Sequence, residues 1–173
     1  TPIMPRLDQR LGLTRYEADA AYKRALDAYR KGDFDTALDM LNAALEAQPG
    51  RAELCATRGM VQLEDGEKDA ARADFEAALK AFAYEMLAHY GLGVLAYQDK
   101  KWDEALDRFT RALYIDAERG ETLYYLALTH YQKRDYTNAL ATMQRALPRL
   151  EAAGHRGKTD AGRWLRELSK LAG

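Results

Sequence analysis

The feature that most constrains this chain is an internal repeat of 34 residues. Alanine recurs in two columns of the repeat, and a column of large apolar side chains lies between them (Leu41, Phe75, Phe109, Met143). A period that holds over four copies without insertion predicts a repeat architecture, in which each unit buries its apolar face against its neighbours. The aligned stretches are GDFDTALDMLNAAL from Gly32, GEKDAARADFEAAL from Gly66, KKWDEALDRFTRAL from Lys100 and RDYTNALATMQRAL from Arg134.

The composition and the spacing of apolar residues predict helices. Only two valines and two isoleucines occur in 173 residues, and β-sheets depend heavily on such β-branched side chains. The third unit shows two amphipathic runs: Leu87, Tyr90, Val94 and Tyr97 recur at helical spacing, and a second helix is predicted over Trp102–Ile115. We therefore expect an all-α chain with two helices per unit, whose alanines let the paired helices approach closely.

At this point the chain resembles the tetratricopeptide repeat family. With each unit numbered from Ala18, Ala52, Met86 and Gly120, the small eighth position of the family holds Ala25, Gly59, Gly93 and Ala127. The family's aromatic position seventeen holds Phe34, Trp102 and Tyr136, with Lys68 departing in the second unit. The resemblance implies an all-α, right-handed α-solenoid of four helix pairs over 15–153, with repeats at 18–51, 52–85, 86–119 and 120–153.

Both ends are expected to differ from the repeats. Residues 1–14 form a predicted N-terminal arm, and a capping box from Thr14 to Glu17 places the first helix start at Arg15. Residues 158–173 are predicted to form a capping helix, which covers the last repeat with one apolar stripe. Pro148 removes a backbone donor, and a kink is expected there. The predicted stripe is Ala161, Trp164, Leu165, Leu168 and Leu171.

The sequence offers no catalytic or metal-binding motif. Cys55 is the one cysteine, and His89 and His130 fall on repeat positions that face a neighbouring helix, so all three are expected to pack in the core. We therefore expect no enzyme activity and no cofactor. A net charge of −1 argues against a nucleic-acid partner, and no apolar run reaches the roughly 20 residues of a membrane span. A single thiol favours a reducing, cytoplasmic location.

The family resemblance implies a concave groove lined by the first helix of each repeat. Position nine of that helix is apolar in all four repeats, and tyrosines flank it in three of them. Apolar, tyrosine-rich surfaces typically bind partners. We expect an extended or helical peptide with apolar anchors, although the tyrosines could instead support the scaffold. The predicted peptide-binding residues are Tyr22, Leu26, Tyr29, Met60, Leu63, Tyr90, Val94, Tyr97, Tyr124, Leu128 and Tyr131.

Another ligand of the family, the acidic C-terminus of heat-shock chaperones, does not fit. In that family, the carboxylate clamp that binds this tail is formed by two lysines, an arginine and two asparagines at defined positions. Those positions hold no cation here in either possible frame, and a clamp without cations cannot hold a carboxylate. The two frames read Tyr22, Leu26, Thr57, Leu87 and Gly91, or Ala56, Met60, Gly91, Glu121 and Tyr125.

Self-assembly is the alternative function. The second repeat, 52–85, carries eight acidic and four basic residues, whereas the tail, 154–173, carries five basic and two acidic residues. Opposite charges favour head-to-tail stacking of copies, and the apolar arm could fill a neighbour's groove.

Overall fold

The computed structural model describes residues 19–172, and every regular element within that range is an α-helix. The first helix, α1, covers the described residues 19–30. The predicted arm, its capping box and the helix start at Arg15 lie outside the described range. The other helices are α2 (Phe34–Ala47), α3 (Ala52–Asp65), α4 (Lys68–Ala81), α5 (Met86–Gln98), α6 (Trp102–Ile115), α7 (Gly120–Gln132), α8 (Tyr136–Ala152) and α9 (Lys158–Leu171).

The turn inside each repeat has the same backbone conformation in all four copies. One residue adopts a positive φ: 76° at Gly32, 92° at Gly66, and 60° at both Lys100 and Arg134. The next amide donates to the carbonyl oxygen five residues before it, as Lys101 does to Ala96 over 2.9 Å. This pattern satisfies carbonyl groups that the ending helix leaves without a partner. The first helix of each repeat therefore ends in the same way, with one residue in the left-handed backbone conformation.

The repeated alanines form the interior. All eight side chains of the two alanine columns are fully buried, and so are the four large side chains between them. In the second and third repeats, the glycine at repeat position eight faces that large side chain. A Cβ added at Gly59 would lie 2.7 Å from the Phe75 ring, and one at Gly93 would lie 2.6 Å from Phe109. The helices therefore approach closely enough that phenylalanine on one requires glycine on the other.

The described chain divides into two compact units, one up to Gly91 and one from Leu92, so the boundary along the sequence falls within α5. In the first unit, α2 packs against α3 and α3 against α4. Arg58 on α3 joins all three helices. Its Nε and Nη2 each donate to a carboxylate oxygen of Asp74 over 2.7 Å, and its Nη1 donates to Asn42 Oδ1 over 2.8 Å.

In the second unit, α6 packs against α7, α7 against α8, and α8 against α9. Helix α8 runs from Tyr136 to Ala152 with Pro148 inside it, so the proline does not end the helix. On α9, Ala161 and Leu168 are fully buried, whereas Leu171 is 47% exposed. The capping helix thus covers the second unit with only part of its predicted stripe. None of the described helices has the length and apolar character needed to cross a membrane.

Candidate functional site

In the first unit, the predicted binding residues lie on α1, α3 and α5. Five of them are half-buried (Tyr22, Leu26, Tyr29, Met60, Leu63), and Tyr90 is only 8% exposed. The Tyr29 hydroxyl donates to Glu64 Oε1 over 2.6 Å, and the Tyr22 hydroxyl lies 3.4 Å from Thr57 Oγ1. Burial raises the pKa of Tyr22, so its phenol stays neutral at physiological pH. Internal hydrogen bonds therefore hold the rings of Tyr22 and Tyr29 in place.

In the second unit, the predicted residues separate by accessibility. Val94 and Leu128 are buried, at 5% and 7% exposed, whereas Tyr97, Tyr124 and Tyr131 keep part of their surface accessible. Side chains as buried as Val94, Leu128 and Tyr90 offer a partner little area. Their role in binding stays a prediction, and the accessible tyrosines are the stronger candidates.

These tyrosines belong to two groups of contacting aromatic rings. The Tyr97 ring contacts Tyr125 edge-on at a centroid distance of 5.6 Å, and Tyr125 contacts Tyr124 edge-on at 5.8 Å. Tyr131 contacts the indole of Trp164 edge-on at 4.8 Å. We call Tyr97, Tyr124, Tyr131 and Trp164, which are all half-buried, the aromatic surface. Edge-to-face contacts of this kind fix ring orientations.

Trp164 was missing from the predicted site. The apolar stripe of the predicted capping helix assigned it to the covering face, and only the packing of α9 in the second unit brings its indole against Tyr131. A partly accessible tryptophan beside tyrosines is a typical centre of a protein interface. The one sequence signal for this role is that Trp164 is the largest side chain of the stripe.

Acidic groups border the aromatic surface on α9. Burial raises the pKa of Tyr124, and the negative charge of Asp160 raises it further, while a hydrogen bond with the Trp164 side chain acts in the opposite direction. A cleft of about 300 Å³ lies on this side of α9, and Asp160, Arg163, Trp164 and Glu167 line it. The site is therefore an aromatic surface that ends in a small charged cleft.

Cys55 and His89 lie in the interior, whereas His130, which was also expected in the core, is half-buried. Burial raises the pKa of the Cys55 thiol, which is 7% exposed, so it stays protonated and is a poor nucleophile at neutral pH. His89 is 7% exposed, and its Nε2 lies 3.0 Å from the carbonyl oxygen of Ala83. Among residues 19–172, no three His, Cys, Asp or Glu side chains are grouped so that they could hold a metal ion.

Comparisons with solved structures agree with this architecture. A pilF structure of Pseudomonas aeruginosa has a TM-score of 0.76 and 21% identity, covering 90% of this chain and 68% of that one. MamA of Desulfovibrio magneticus RS-1 has a TM-score of 0.64 and 16% identity, covering 90% and 95%. The first tetratricopeptide repeat domain of Spaghetti (RPAP3), bound to the HSP90 peptide SRMEEVD, has a TM-score of 0.64 and 18% identity, covering 68% and 95%. At these identities the likeness shows the fold.

Family models identify the chain itself. A model described as tetratricopeptide repeat matches residues 22–54 and 56–121, and a second model of the same description matches residues 121–147. A search among curated proteins returned no match. Since the models cover most of the chain and the fold is an all-α helical repeat, this protein belongs to the tetratricopeptide repeat family.

Proposed function

We propose that this chain is a non-enzymatic protein-binding module, which takes an extended or helical peptide with apolar anchors on the aromatic surface. The observation that carries the proposal is that Trp164 joins partly accessible tyrosines of the second unit: its indole contacts the Tyr131 ring, and its side chain shares a hydrogen bond with Tyr124. Aromatic rings that are already fixed by their neighbours lose little conformational entropy on binding. Membership of an interaction family supports the same general role.

The half-buried residues of the first unit are proposed as additional contacts. Met60 and Leu63 lie on the same helix and are partly accessible, and Leu26 lies on α1 beside two tyrosines that are held by hydrogen bonds. Apolar side chains at helical spacing suit a partner that presents its own anchors every three or four residues. In each unit the half-buried residues of the predicted site are apolar or aromatic, which favours apolar anchors over charged tails.

An acidic chaperone tail is not the proposed ligand. The HSP90 peptide SRMEEVD is bound by the RPAP3 domain, whose fold this chain shares. In this chain, Tyr22, Leu26 and Thr57 stand at clamp positions of the first and second repeats, and they supply no positive charge. The absence of clamp cations at those positions favours an apolar ligand over a carboxylate.

The test begins with peptides displayed on phage and selected against the purified chain. We expect the selected peptides to carry apolar residues three or four positions apart. Tyr97→Ala and Tyr131→Ala should each weaken binding by about 1–2 kcal/mol, or roughly 5- to 30-fold, because each removes an aromatic contact. Titration calorimetry, well below the melting temperature of each variant, measures this loss.

Tyr114 supplies the matched control. It is 84% exposed on α6 and does not belong to the aromatic surface, so Tyr114→Ala should bind the selected peptides as the wild type does. Tyr97→Phe separates the ring from its hydroxyl and should keep most of the affinity. Equal affinity of the wild type, Tyr97→Ala and Tyr131→Ala would reject the aromatic surface as the binding site.

A second candidate function is self-assembly, which the charge distribution favours. The acidic segment 52–85 exposes Phe82 and Tyr84, at 53% and 61%, and the basic tail exposes Leu171. Apolar groups flanked by charges of opposite sign could join copies head to tail. The possible contribution of the arm, residues 1–14, falls outside the described part of the chain.

A further inference from the structure

Two aromatic side chains remain exposed in the segment between α4 and α5, residues 82–85, which we call the aromatic loop. Phe82 and Tyr84 are 53% and 61% exposed, and their rings contact each other at a centroid distance of 6.0 Å. Within residues 19–91, they are the exposed large apolar side chains. Exposed aromatic rings that lie together are typical of a surface that another protein covers.

Hydrogen bonds fix the backbone of the aromatic loop. The Phe82 amide donates to the Ala78 carbonyl oxygen over 2.8 Å, and the Glu85 amide donates to the Phe82 carbonyl oxygen over 3.1 Å. The buried side chain of His89 donates from Nε2 to the Ala83 carbonyl oxygen over 3.0 Å. Because the backbone that carries the rings is already ordered, a partner that covers them loses little affinity to loop ordering.

The second repeat, which ends in this loop, has an acidic surface. Of its exposed charged side chains, six are acidic and two are basic. Glu76, on the helix that leads to the loop, is exposed and has no ion-pair partner among the described residues. Burial raises the pKa of Glu85, at the end of the loop, and the negative charge of Glu53 adds to this effect. A partner of the aromatic loop should therefore carry positive charge beside its apolar contact.

Two other exposed apolar patches occur among the described residues, and they differ in charge. Tyr114 and Ile115 end α6, and the acidic residues Asp116 and Glu118 follow them. Leu171 ends α9 in the basic tail and is 47% exposed. Charge of the same sign disfavours contact between the end of α6 and the second repeat. The end of α9 is thus the patch whose charge complements the aromatic loop.

The surface around Leu171 is basic. Between residues 154 and 172, five exposed side chains are basic and two are acidic. Arg166 lies about one and a half helical turns before Leu171, is exposed, and has no ion-pair partner within the described chain. Lys170 directly precedes Leu171, and its pair with Glu167 is more than half exposed, so that pair contributes little stability. Helix α9 therefore ends in an apolar side chain beside positive charge.

We propose that the aromatic loop of one copy binds the last turn of α9 of a second copy, with Leu171 against the rings of Phe82 and Tyr84. The basic side chains of α9 then face the acidic second repeat. The inference rests on self-assembly, the second candidate function, and names its two contact surfaces. Because these surfaces differ, each paired copy keeps one loop or one tail available, and the assembly can grow into rings or filaments.

The test compares two variants of the full chain by sedimentation velocity at several protein concentrations. The loop variant is Phe82→Ser/Tyr84→Ser, and the tail variant is Arg166→Glu/Lys170→Glu. We expect each to weaken the association of the wild type by about tenfold. An equimolar mixture of the two should form heterodimers and nothing larger, because each pair retains one intact loop and one intact tail.

Tyr114→Ser is the matched control, since it removes an exposed aromatic ring outside the two surfaces and should associate as the wild type does. Circular dichroism shows whether each variant is folded. A wild type that stays monomeric would overturn the inference together with self-assembly. Association that persists unchanged in the loop variant, or a mixture that forms no heterodimers, would overturn the inference alone. The peptide-binding test is independent of these results, because it measures tyrosine variants of the second unit.

Discussion

At the scale of single residues, the repeats differ in the residue that takes the left-handed conformation at the end of the first helix. The left-handed position is glycine in the first two repeats but Lys100 and Arg134 in the last two, each with a φ of 60°. Residues with a Cβ are strained there by roughly 1–2 kcal/mol, because the Cβ approaches the following carbonyl oxygen. The fold therefore tolerates strain at two positions where the sequence could have used glycine.

Replacing Lys100 with glycine should stabilise the protein. Relief of the strain outweighs the greater freedom that glycine has in the unfolded chain, so the free energy of unfolding should rise by about 0.5–1 kcal/mol. Urea denaturation followed by circular dichroism measures the change. Lys101→Gly is the control, since Lys101 has a φ of −87° and offers no strain to relieve. A loss of stability in Lys100→Gly would contradict the strain argument.

At the scale of helices, the pairing of a small and a large residue sets the distance between the two helices of a repeat. Glycine at position eight accompanies phenylalanine in the second and third repeats, whereas alanine accompanies Leu41 and Met143 in the first and fourth. The large partner is fully buried in every case. A larger residue at one position is thus matched by a smaller residue at the other. The total side-chain volume of the pair stays nearly constant, which is the kind of change that cores tolerate best.

The third repeat allows a test of this exchange. Gly93→Ala should destabilise the protein by about 1–3 kcal/mol, because the new methyl group overlaps the fully buried Phe109 ring. Phe109→Leu alone should also destabilise it, since it leaves a cavity. The double variant reproduces the alanine and leucine of the first repeat and should be more stable than the sum of the single effects predicts.

Thermal unfolding of the four proteins in this cycle gives the coupling energy. A value near zero would show that residues 93 and 109 act independently, which would contradict the close approach. Leu79→Ala in the first unit serves as a reference for an apolar truncation at a half-buried helical position outside the pair.

At the scale of the whole molecule, the opposite charges of segment 52–85 and the tail concern assembly. If copies associate head to tail, the Arg166→Glu/Lys170→Glu double variant should lower the average mass in light scattering at low ionic strength, as should addition of salt. Removal of residues 1–13 tests the arm separately. A monomer at every protein concentration and salt concentration would exclude self-assembly and leave peptide binding as the proposed function.

Much of the architecture follows from local sequence. The amphipathic run predicted the helix over Trp102–Ile115, which the structure contains at those bounds. The alanines that were predicted to lie where paired helices cross are fully buried. Helical periodicity and small side chains act between residues that are near in sequence or repeated at one spacing. Such short-range terms can be recognised without knowledge of the tertiary arrangement.

Accessibility within the site could not be predicted in the same way. Position nine is apolar in every repeat, yet Val94 and Leu128 are buried while Leu26 and Met60 are half-buried. Trp164 belonged to a stripe that predicted only a covering helix. How much of a side chain remains exposed depends on the rotation of its helix and on what packs beside it, and those are set by neighbouring helices.

The sequence by itself determined that this chain is an all-α repeat of the tetratricopeptide family, because periodic apolar and small residues encode helix pairing locally. Only the tertiary structure decided which tyrosines stay accessible and that α9 adds Trp164 to them. The physical reason is that exposure and electrostatic surroundings arise from contacts between helices distant in sequence, whereas the repeat arises within each unit.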